Sequence, residues 1–140
     1  MNKSLKTLTR IKKFDIDEQR KLLAEQQEAE EQTIEELRLL NEKFEAEKIF
    51  AMENPSLCGD FGLYTKRYLK IRAALEIKLN NIRQRIEEIR DIIADMFKEQ
   101  KTYEIIDENR TKQEEKELTE KEQKLLDEIG TNTYIKHHKQ

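Results

Sequence analysis

The chain has 140 residues, of which 41% are charged and 36% hydrophobic, with no tryptophan and a formal net charge of −3. So small an apolar inventory excludes a thick globular core and a buried, water-excluding active site, and suits long helices or a coiled coil. The small net charge predicts neither nucleic acid nor an acidic substrate as a whole-chain partner.

The opening MNKSLKTLTRIKKF is basic but has no uninterrupted hydrophobic block, so it does not read as a secretory signal. Residues 1–14 hold Lys3, Lys6, Arg10, Lys12 and Lys13 and no acidic residue. Leu5, Leu8 and Ile11 share one helical face, and several roles stay open for this segment. Its apolar face can join a seam with Tyr103 and Ile106 while the lysines stay in water. It can also meet an acidic protein, an anionic membrane surface or nucleic acid.

From Leu5 to Glu53 there is no glycine or proline, and most residues are good helix formers. Ile16, Leu23, Leu37, Phe44 and Ala51 fall on one seven-residue ladder, interrupted by Glu30. Gln19, Gln26, Thr33, Leu40 and Glu47 follow each rung by three. That spacing predicts a coiled-coil seam, one narrow stripe facing a partner helix, with polar members that weaken packing and restrict register.

The stretch ENPSLCGDFG at 53–62 gathers Cys58 together with Pro55, Gly59 and Gly62, the last three being residues that stop a helix. Asn54–Pro55 is a stop signal, and both glycines permit positive φ. Asp60 is the expected N-cap of the next helix, with Ser56 and Thr65 as alternatives. Cys58, the single cysteine, has no internal disulfide partner, which fits a reducing cytoplasm, and it reads as a small residue in an exposed turn.

Tyr68, Leu75, Ile82, Ile89, Met96 and Tyr103 then form an unbroken seven-residue ladder, with Leu79, Ile86 and Ile93 as the second row. The all-α reading is therefore one helical-hairpin domain over 1–140. Its first helix covers about 5–53, the turn about 54–60, the second helix about 61–129, and a frayed tail 130–140. A turn centred near residue 57 sets Phe44 near Ile71, Ile11 near Tyr103 and Leu8 near Ile106. Residues 24–50 carry nine acidic and three basic side chains, while residues 64–90 carry eight basic and three acidic, so opposite charges support an antiparallel coiled-coil hairpin. The second helix overhangs the first, leaving Leu118, Leu125, Leu126 and Ile129 without an intramolecular partner.

No glycine-rich phosphate loop, HExxH, paired-cysteine zinc spacing or Ser-His-Asp set is present. The acidic run at 107–120 lacks the glycine of a calcium loop. His137 and His138 read as a solvated tail rather than a metal site. The expectation is no enzyme, no cofactor and no metal, and no run is long and apolar enough to cross a bilayer.

The overall length, LKTLTRIKKFDIDEQRKLLAE near the start, FGLYTKRYLKIRAALEIKLNNI opening the second helix and the close EEKELTEKEQKLLDEI resemble the FliJ family. These are small components of the bacterial flagellar export apparatus, with YscO-type counterparts in injectisomes. The resemblance implies an antiparallel coiled coil similar to the central stalk of rotary ATPases. It further implies a terminal end that inserts into the hexameric export ATPase and promotes ring assembly. Contact with the cytoplasmic domain of the export gate and escort of export chaperones are implied too. The location implied is cytoplasmic, peripheral to the inner membrane through those partners, with no nucleic acid involved. Carried onto this chain, the ATPase-facing residues are Arg10, Lys12, Lys13, Leu125 and Ile129, and the gate-facing stripe is Arg67, Ile71, Ala74 and Lys78. Two other readings remain: a structural coiled-coil scaffold or dimerisation protein unrelated to secretion, and a membrane-surface protein anchored by its basic N-terminal helix.

Overall fold

The computed structural model describes residues 3–57 and 59–138; the His138 side chain and Cys58, including its expected place in an exposed turn, lie outside the described residues. Helix α1 spans Lys3–Glu53, a short 3-10 turn Pro55–Leu57, and helix α2 Phe61–His138. The two helices pack against each other as an all-α hairpin.

The reversal is built from local hydrogen bonds. Asn54 donates its backbone N–H to the Phe50 carbonyl at 2.9 Å and its side-chain amide to the same oxygen at 3.2 Å, closing α1. Among the described residues Gly59 alone takes a positive φ, 52°, which a side chain would disfavour. Asp60 then caps α2, its carboxylate accepting the Leu63 N–H at 3.1 Å, as the sequence suggested. Gly62 is not needed for the reversal; the Asp60 cap has already placed it inside the first turn of α2.

The expected end of α2 at residue 129 is corrected as well. The helix passes through Gly130 and continues to His138, so residues 130–138 are helical rather than a frayed tail. Gly130 keeps a helical backbone instead of the left-handed cap conformation, and no proline follows to enforce a stop.

Contacts divide the chain into two compact units, Asp15–Met96 and Met1–Phe14 with Phe97–Gln140. In the first, both predicted ladders form the seam. Ile16 and Thr33 of α1 are buried, as are Tyr68, Leu79, Ile82, Ile86 and Ile89 of α2, and Ile89 is fully enclosed at 0% exposure. Thr33 enters this apolar seam because its hydroxyl donates back to the Ala29 carbonyl at 2.8 Å, satisfying the group locally. Gln19 is less well served: its Oε1 is buried without a hydrogen-bond partner. Glu30, the interruption in the α1 ladder, reaches across to Arg83 at 3.2 Å.

The register near the turn differs from the expected one. Phe44 stacks on Tyr68 with ring centroids 3.9 Å apart and also lies near Phe61 and Tyr64, rather than meeting Ile71, which is exposed. Tyr68 fixes this register because its hydroxyl donates to Asn41 Oδ1 at 2.6 Å while its ring stacks, two constraints that an isoleucine cannot supply. Many charged residues on the flanks pair within their own helix, Arg38 with Glu35 and Glu42 and Arg72 with Glu76 among them, so the charge asymmetry is only partly spent across the seam.

In the second unit Leu5 is buried and Lys12 half-buried, its ammonium reaching Glu99. Leu8 and Ile11, expected to meet Ile106 and Tyr103, are instead exposed. Counting back in heptad steps from Ile16 gives Thr9, and from Gln19 gives Lys12 and Leu5, all on the seam side, and the Lys12 stem covers apolar surface while its head stays at the rim. All described side chains from Glu108 to His137 are exposed.

Candidate partner-binding surfaces

Lys3, Lys6, Arg10 and Lys13 recur at three, four and three residues along α1, which sets them on one exposed stripe. Leu8, Ile11 and Phe14 are exposed in the same segment. Of the three cations expected to face an ATPase, Arg10 and Lys13 therefore sit on this stripe, while Lys12 is turned toward Glu99. Lys3, Lys6 and Phe14 were not among the expected site residues, although the three–four spacing of the cations was legible.

Leu125 and Ile129 lie on the exposed end of α2. Lys12 pairs with Glu99, and Leu125 stands 26 residues further along the helix, about 40 Å at 1.5 Å per residue. The structure thus gives two separate surfaces in this unit, not a single five-residue patch.

In the other unit, Arg67, Ile71, Ala74 and Lys78 are all exposed and share one stripe at four-, three- and four-residue spacing. Ile71 is free of the seam because Tyr68 has taken the contact with Phe44. Ala74 and Lys78 also line an open groove with Ile77, Asn81, Ile82 and Gln26 of α1. Ile77 and Leu63 were not picked out from the sequence, since neither belongs to the seam ladder on which attention falls.

Among the described residues no group of three or more His, Cys, Asp or Glu side chains is placed to hold a metal ion, and the His138 side chain lies outside that search. None of the described helices is long and apolar enough to cross a membrane. The notable electrostatic perturbation is on the exposed α1 flank, where the Arg38 hydrogen bond holds the Glu35 carboxyl below its ordinary value and the Arg38 guanidinium is raised in turn.

A long two-helix seam with exposed apolar side chains set among charges on its flanks defines a coiled-coil protein. The chain belongs to the flagellar FliJ family: the family model described as Flagellar FliJ protein matches residues 1–139. Membership gives it a role in the flagellar export apparatus, in a family of non-enzymatic, cytoplasmic components. No curated relative and no solved structure matches the chain.

Proposed function

We propose that this protein is the coiled-coil adaptor of the export apparatus, with its terminal surfaces inserting into the hexameric export ATPase and its early α2 stripe contacting the cytoplasmic domain of the export gate. Export chaperones are escorted on the same scaffold, and association with the inner membrane runs through these partners. The observation that carries the reading is the exposed basic stripe of Lys3, Lys6, Arg10 and Lys13, with exposed Phe14 at its edge and exposed Ile11 and Leu8 further round the same helix. Cations flanking apolar anchors suit an acidic-rimmed protein socket, where charge steers the encounter and apolar burial holds the complex. The exposed Leu125 and Ile129 offer a second anchor for the ATPase. Exposed Arg67, Ile71, Ala74 and Lys78 offer one for the gate.

Charge reversal tests the assignment. An Arg10→Glu, Lys13→Glu variant leaves Lys12 with Glu99 and is expected to keep its thermal unfolding curve while losing at least tenfold in affinity for the export ATPase. The triple variant that adds Lys12→Glu should lose the same binding and also some stability, because a carboxylate would then face Glu99. Unchanged ATPase affinity in the double variant removes these residues from the interface.

A further inference from the structure

Two stripes outside the intramolecular seam carry seam-like spacing. On early α2, Leu63, Arg67, Lys70, Ala74 and Ile77 recur at four, three, four and three residues, and all five are exposed. On late α2, Leu118, Glu122, Leu125 and Ile129 recur at four, three and four, and again all are exposed. Alternating four- and three-residue spacing keeps apolar side chains on the narrow line that a partner helix follows. Among the described residues no helix covers either stripe.

The stripes also differ in charge. Residues 63–77 hold four basic side chains and one acidic, a net of +3, whereas residues 118–129 hold four acidic and two basic, a net of −2. Like stripes therefore repel and unlike stripes attract. A line of exposed leucines and a second line of opposite sign with the same periodicity elsewhere on the chain can each find a fitting occupant in another molecule of the same sequence.

We propose that a second copy of this chain docks here, the acidic end of α2 in one copy lying lengthwise on the basic early-α2 stripe of the other. Aligning Leu118 with Leu63 in a parallel pair sets Glu122 against Arg67. Aligning Ile129 with Leu63 in an antiparallel pair sets Glu122 against Lys70. In both directions leucine or isoleucine meets Leu63, and the single carboxylate on the acidic stripe meets a cation. The contact is short and charge-assisted, so it is weak and salt-sensitive. The basic stripe shares Arg67 and Ala74 with the surface proposed for the gate, and the acidic one contains Leu125 and Ile129. Self-association therefore covers surfaces that other partners would use, and holds the free protein in a masked state.

The test uses the purified full-length chain alone, so its outcome is independent of any ATPase or gate. Sedimentation velocity should show concentration-dependent association at low salt that is lost on raising the salt to about 0.5 M, where charges are screened within a few ångströms. An Arg67→Glu, Lys70→Glu variant and a Glu122→Lys variant should each sediment as monomers. Mixing the two should restore association, because every unlike contact is then complementary again. A wild-type chain that stays monomeric at low salt, association that survives both variants, or a mixture that remains monomeric would each overturn the proposal.

Discussion

Between Tyr68 and Met96, α2 presents a ladder whose middle rungs are buried, while from Glu108 to His137 all of its described side chains are exposed. Both stretches place apolar residues at helical spacing, so periodicity does not separate them. What separates them is the density of rungs. Leu75, Leu79, Ile82, Ile86, Ile89 and Ile93 fill every seam position, whereas Leu118 and Leu125 stand among glutamates and lysines. A filled seam is stabilised mainly by apolar burial, roughly 25 cal/mol per Å² removed from water. A sparse one remains a helix through propensity and i,i+4 pairs such as Gln113 with Glu117.

The contrast is broken most directly by truncating one residue from each stretch. Ile89→Ala, at a fully enclosed position, is expected to lose about 2–5 kcal/mol in urea unfolding. Leu125→Ala, at 57% exposure, should change the same measurement by no more than about 0.5 kcal/mol. Equal losses at the two sites would mean that the overhanging end of α2 is packed in solution.

A smaller effect sharpens the account of the seam itself. Gln19 buries an oxygen that lacks a partner, so Gln19→Leu should raise the urea midpoint by the equivalent of about 1 kcal/mol. A drop would show that this amide holds the register or reaches water, and that the polar rung stabilises the pairing. The retained polar rungs lower stability but limit the registers α1 can adopt.

The smallest effect is on the exposed flank. The Glu35 carboxyl is held below its ordinary value by the Arg38 hydrogen bond. A carboxyl so depressed contributes above its unfolded pKa and loses that contribution as pH falls through its folded value. In an NMR titration, Arg38→Ala should move the Glu35 midpoint upward, with little change in thermal unfolding at neutral pH, since exposed pairs are worth little. An unmoved midpoint would mean that the pair does not persist in solution.

The hairpin was legible in the residues because its signals agree. Pro55, Gly59 and Asp60 mark one reversal, and within residues 15–96 the two ladders hold the buried positions, Thr33 and Ile89 among them, though not Leu5 further toward the start. The resemblance to the FliJ family was legible in the same way, through the opening and early-α2 segments. The candidate surfaces were less so. Arg10 and Lys13 share an exposed stripe with Lys3 and Lys6, but Lys12, named with them from the sequence, is turned to Glu99, and Leu125 and Ile129 stand well away along α2. Spacing alone assigns a face to each residue and says nothing of which face another helix covers.

Composition and periodicity by themselves thus determined two long helices, their reversal and the seam positions, because helix propensity, turn chemistry and heptad spacing act over a few neighbouring residues. Only the tertiary structure decided that Tyr68 rather than Ile71 meets Phe44, that Leu8 and Ile11 remain outside, and that Lys12 reaches Glu99. Register depends on contacts between residues tens of positions apart. A stacked ring with a hydrogen-bonded hydroxyl at Tyr68 can shift the pairing of two long helices without changing either helix's pattern.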